Sequence, residues 1–400
     1  MTAHAGPGPT DSVPEWWVFH GTGQPRAHLD LATRLPPPPQ WRTYGGALNS
    51  GSTSPFYEPS APPGEPGEPA EPGEDAVATA ESARHLGPQH PRPGTVPLGP
   101  HRKHLLDKVN AAIHLRRPLL VTGPPGVGKS SLAHQIAREL NLGRTLRWAV
   151  TSRSTVGDGL YSYDPLTQIH DLNLENAHRR ATGQAPDRRY AGDGDAHLRS
   201  SAESISRYLA LGPLGTAFLP TRAPRVLLID DFDLGDFDLP GDLLDLFENG
   251  GYRIPELARL AGVAPAIEVA TDDPGRTVPV SHGEVLCSAF PITVLTCNSG
   301  RDLSPAFMRR CIPVRMGLPD EQELLAAVAG HFGGDLPSGA RPLVTEFLER
   351  SGSGHELAID QLLNAVHLVG ALGPDQAGPG GDQVRELSEL LWHRLTESPG

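Results

Sequence analysis

"PLLVTGPPGVGKSSLAHQIA", residues 118–137, decides how the rest of the chain is read. "PLLVT" is a short apolar run of the kind that forms a buried strand, and an amphipathic helical pattern follows the loop. Between them "GPPGVGKS" fits G-x-x-x-x-G-K-[ST] at Gly123, Gly128, Lys129 and Ser130. Glycines allow the positive φ angles and close approach that let successive backbone N–H groups wrap a phosphate. The helix beginning near Lys129 adds the positive end of its dipole. The chain has only three lysines, Lys103, Lys108 and Lys129, and is otherwise committed to arginine. A compact ammonium on a thin stem fits between phosphates where a planar guanidinium is too bulky. A Gly-rich turn capping a helix is the plain structural alternative, and four matched positions in this context weigh against it.

Composition sets the limits. Four hundred residues allow one large domain or two modest ones. With 38% hydrophobic residues, 45 Gly and 42 Pro, a folded body carrying a disordered portion is expected. The net charge of -13 argues against nonspecific binding to nucleic acid or anionic membranes. Cys287, Cys297 and Cys311 lack metal-ligand or CxxC spacing, so a reduced, cytoplasmic setting is expected. The start shows no signal-peptide pattern, and no run approaches the roughly 20 apolar residues that span a bilayer.

Along the chain, residues 118–122, 145–152, 225–230, 292–298 and 312–316 read as buried parallel strands with helical crossovers. Helices are expected over 320–333, 341–351, 355–372 and 383–397, the last with Leu387, Leu390, Leu391 and Leu395 on one face. The fold class is therefore α/β, a parallel sheet sandwiched by helices over 101–318, followed by a small all-α domain over 319–400. Residues 51–100, with "APPGEPGEPAEPGEDA", read as a disordered linker. Residues 1–50 form an arm in which Trp16, Trp17, Phe19, Trp41 and Tyr44 are costly to leave in water. The arm can dock on its own body or on a partner.

A second acidic signal completes the phosphate loop. "RVLLIDDFD" is an apolar strand ending in two carboxylates. Asp230 is placed to hold Mg²⁺ together with the Ser130 hydroxyl, and Asp231 to orient an attacking water. Two aspartates can also simply begin a loop; pairing with the glycine loop favours the site.

Residues 101–372 resemble an AAA+ ATPase, most closely the MoxR-like branch. "GPPGVGKSSLA" resembles the Walker A region of this P-loop NTPase class and "VLLIDDFD" resembles Walker B. The resemblance implies ATP as the nucleotide, with Gly123, Pro124, Pro125, Gly126, Val127, Gly128, Lys129, Ser130 and Ser131 around its phosphates. "LTCNSGRDLSPAFMRRC" is similar to sensor 1 followed by the arginine-finger segment. That implies Asn298 beside the lytic water and Arg310, with Arg309 second, reaching a neighbour's γ-phosphate. It implies a homo-oligomeric ring, a hexamer among the candidates, acting on a client protein, with von Willebrand A-domain proteins as candidate partners.

Two departures bear on turnover. Asp231 stands where most of the family has Glu, one methylene shorter, and small misplacements are costly in catalysis. The expected basic sensor 2 has only His355 as a candidate, and a helix-start role suits His355 better. Slow hydrolysis, or a nucleotide-gated switch or scaffold, is the alternative to a ring remodeller. A motor in a DNA-restriction or phage-defence complex would need a nucleic-acid surface that the acidic balance disfavours. Two insertions remain. Residues 153–224 carry Tyr161 and Tyr163, which suit packing on the body better than a central pore. Residues 252–285 read as a hairpin about "DDPG".

Overall fold

The computed structural model describes residues 13–26, 29–44, 56–59, 74–88, 98–181, 204–298, 303–337, 339–352 and 357–372. Its strands, in chain order, begin with β1 (Leu119–Thr122), β2 (Leu146–Ala149), β3 (Tyr161–Tyr163) and β4 (Leu209–Leu211). They continue with β5 (Val226–Asp230), β6 (Gly251–Arg253), β7 (Ala266–Ala270) and β8 (Thr277–Ser281). The last are β9 (Glu284–Leu286), β10 (Ile292–Cys297) and β11 (Ile312–Arg315).

The five expected strands form one parallel sheet in the order β11-β1-β10-β5-β2. β5 and β10 are buried along their whole length, as strands covered on both faces must be. Leu119, Val121, Val226, Leu228 and Val294 point to the face covered by the helix Pro100–Leu115 and the phosphate-loop helix Lys129–Glu139. Leu120, Leu146, Trp148, Leu227, Ile229 and Leu295 point to the other, where the helix Leu239–Asn249 brings Leu243 and Phe247. The strand order sets β10 between the phosphate-loop strand and the acidic strand, so the ends of all three converge.

The arm docks on its own body. Trp17 and Phe19 enter the first core cluster, and Tyr44 enters the second. Apolar burial alone would leave the arm's backbone groups unpaired, and two buried polar side chains answer them. Asn110 Oδ1 accepts from Val18 N (2.8 Å) and Phe19 N (2.9 Å), while its Nδ2 donates to Phe19 O (2.7 Å). The Glu139 carboxylate accepts from His20 N (2.6 Å), Thr22 N (2.7 Å) and Gly23 N (3.1 Å). Trp41 stays largely in water, 78% exposed, whereas Trp16 is half-covered, against Trp17 and His114.

The linker reading of 51–100 needs correction. Residues 74–86 form a helix, Glu74–Leu86, packed on the phosphate-loop helix. His85 stacks on His134 with ring centroids 4.0 Å apart. Just past this helix, Gly87 lies so close to Gly330 that an added Cβ would stand 2.2 Å from its carbonyl oxygen. Tyr57 is buried and donates to Asp273 Oδ2 (2.7 Å). The "APPGEPGEPAEPG" run itself lies outside the described residues.

The described parts of both insertions form regular elements. β3 and β4, from the first, join the β7–β8 hairpin from the second in one four-stranded sheet. Tyr161 and Tyr163 pack on the body, donating to Glu256 and Gln168. The helices Glu321–His331, Ala340–Gly352 and Ile359–Leu372 share a separate core of Leu324, Val344, Phe347, Leu362 and Val366. The expected helix over 383–397 lies outside the described residues. Among the described residues no helix is long and apolar enough to cross a membrane, and the three cysteines are buried and form no disulfide with one another.

Candidate functional site

The loop after β1 is shaped for close approach. Gly123, Gly126 and Gly128 have φ of 156°, 73° and 89°. A Cβ on Gly123 would lie 2.3 Å from Met316 O, and one on Gly126 would lie 2.2 Å from the Ala358 Cβ. Ile359 N donates to Gly126 O (3.1 Å), tying the loop to the start of the last described helix. Lys129 opens the phosphate-loop helix, and its Nζ donates to Gly123 O (3.0 Å) and Pro124 O (2.6 Å). Burial holds its pKa below the ordinary lysine value, opposed by Asp231, Asp233 and Asp230 nearby.

Asp230 ends β5 and is 5% exposed. Its Oδ1 accepts from Ser130 Oγ (2.7 Å) and Thr296 Oγ1 (2.8 Å). Its Oδ2 accepts from Arg147 Nε (3.0 Å) and Nη2 (2.7 Å). Burial pushes this carboxyl up, but the hydrogen bonds from Ser130, Arg147 and Thr296 outweigh it, leaving the pKa below the ordinary value. Asp231 follows in the left-handed region at φ 55°, its N donating to Thr296 Oγ1 (3.0 Å). Asn298, just past β10, donates from Nδ2 to Asp231 Oδ1 (2.7 Å).

Lys129, Ser130, Asp230, Asp231 and Asn298 thus meet at the C-terminal ends of three adjacent strands. Ser130 Oγ gives its hydrogen to Asp230 and keeps its lone pairs, and hydroxyl and carboxylate are the hard oxygen donors that Mg²⁺ takes. Among the described residues no cluster of three or more His, Cys, Asp or Glu could hold a metal alone. Such an ion would therefore need further oxygens, from water or phosphate, beside this pair, and the hydroxyl and carboxylate fit that use.

Arg309 and Arg310 are not brought to this site. β11 pairs Ile312 with Leu119, so both arginines precede the N-terminal edge of the sheet, a strand's length from the phosphate loop. Arg310 Nε donates to Glu248, and Arg309 Nε to Pro305 O. His355 lies outside the described residues. Arg147 and Thr296 are site residues that sequence reasoning missed. An arginine on an alternating strand reads as a solvent-facing charge, and a threonine inside "ITVLTCN" reads as a strand former.

Residues 99–260 match the family model of the AAA ATPase domain. The match takes in the phosphate loop, Arg147 and both aspartates and ends before Asn298 and Arg310. The parallel sheet and the converging side chains are in keeping with that match. No curated protein matches the chain.

Proposed function

We propose that this chain binds ATP with Mg²⁺ and hydrolyses it between neighbouring copies of a ring, remodelling or activating a partner protein as MoxR-like ATPases do. The observation that carries this reading is the convergence of Lys129, Ser130, Asp230, Asp231 and Asn298 beside a glycine cradle. Loop amides and Lys129 would bind the phosphates. Ser130 and Asp230 would hold Mg²⁺, which when bound neutralises phosphate charge. Asp231, hydrogen-bonded by Asn298, would align water and take its proton. Arg310 of a neighbouring copy would face the γ-phosphate. The client, with von Willebrand A-domain proteins among the candidates, would engage other surfaces.

A fluorescent ATP analogue titrated with saturating Mg²⁺ tests the site. Lys129→Ala should weaken binding by about 10- to 100-fold, the worth of a charge-assisted hydrogen bond; unchanged affinity would remove Lys129 from the site. A nucleotide-gated switch with little turnover is the second reading, favoured by the short Asp231 carboxylate. It predicts tight binding without release of phosphate.

A further inference from the structure

The carboxylate given above to Mg²⁺ is already fully engaged. A carboxylate offers about four acceptor positions, and Asp230 receives four donors, two of them from Arg147. The partners differ in freedom. Asp230 sits at the end of a wholly buried strand, whereas the Arg147 side chain is 46% exposed. Arg147 lies on β2, the edge of the sheet, where Leu146 and Trp148 point inward and Arg147 outward. The register pairs Arg147 with Leu228, so its guanidinium reaches two residues along β5 to Asp230. A buried carboxylate stripped of countercharge is strongly destabilising. Some cation must stand beside Asp230, and the half-exposed arginine is the one free to leave.

We propose that Arg147 is a built-in surrogate cation, which neutralises Asp230 until Mg²⁺ arrives and must yield for the metal to bind. Metal entry is thereby coupled to release of an arginine from the sheet edge. Arg147 sets how much Mg²⁺ the protein needs before it closes on nucleotide. The inference rests on the Mg²⁺–ATP reading of the site.

The test titrates Mg²⁺ into the full chain at a fixed concentration of fluorescent, non-hydrolysable ATP analogue, reading bound nucleotide. Arg147→Gln should lower the half-saturating Mg²⁺ concentration about tenfold, the weight of one displaced charge-assisted contact. Arg147→Lys, which keeps the charge without the two-pronged geometry, should fall between. Melting temperatures give a second readout: Arg147→Gln should be less stable than wild type in chelator and should recover more with Mg²⁺ and nucleotide. A Mg²⁺ midpoint unmoved or raised in both variants overturns the proposal while leaving the ATP site intact. A wild-type chain that retains no analogue at saturating Mg²⁺ overturns both.

Discussion

Asp231 is held from two sides, by the Thr296 hydroxyl at its backbone and by Asn298 at its carboxylate. Its left-handed backbone, which aspartate tolerates better than most residues, turns the chain sharply at the end of β5. A group fixed this way suits alignment of a small molecule such as water. Asp231→Asn keeps the shape but removes the base, so it should bind ATP normally while phosphate release falls by at least about 100-fold. Equal turnover in a phosphate-release assay would take the role from Asp231. The loop lysine, the serine and the acidic pair, which the structure brings together, stand out in the sequence because their spacing beside apolar strands follows a fixed pattern. Arg147 does not, because its meaning depends on which strand lies beside β2.

The helix Glu74–Leu86 shows the same divide at the level of an element. Its neighbourhood is dominated by proline, glycine and glutamate, so composition pointed to an extended linker, and only the tertiary partner reveals a packed helix. The five core strands, by contrast, announce themselves as apolar runs that need no partner to be recognised. Where the helix docks, His134 is buried and its pKa is pushed down to about 3, by burial first and then by His85 and Arg147. Burial also lowers His85. The folded state thus keeps His134 neutral while the unfolded chain takes up a proton near its ordinary value of 6.5. Stability contributed by the neutral ring is present above pH 6.5 and is lost as pH falls from there toward 3. At pH 5 the loss is about 2 kcal/mol. A melting curve should therefore drop between pH 7.5 and 5, and His134→Phe, which keeps the ring stack, should flatten most of that slope.

Across the whole molecule, the phosphate cradle and the two candidate finger arginines lie at opposite ends of two adjacent strands, β1 and β11. A four-residue strand spans about 13 Å, too far for an arginine to serve its own subunit's phosphate without rebuilding the fold. Arg310 is engaged meanwhile by Glu248 at the end of the helix Leu239–Asn249, where Arg42 and Tyr44 of the arm also bond to Phe247 O. If the finger acts in trans, mixing Lys129→Ala and Arg310→Ala subunits should restore ATPase activity that neither has alone, because some interfaces pair two intact halves. Mixed assemblies no more active than either parent would exclude that arrangement.

The contact of Gly87 with Gly330 has a mechanical corollary. The segment ending at Gly87 grips the phosphate-loop helix on one side and the C-terminal helices on the other, and Ile359 is pinned to Gly126 between them. A side chain at position 87 would therefore push the C-terminal helices away from the phosphate-loop helix, so one missing methyl group sets how closely these three parts can sit.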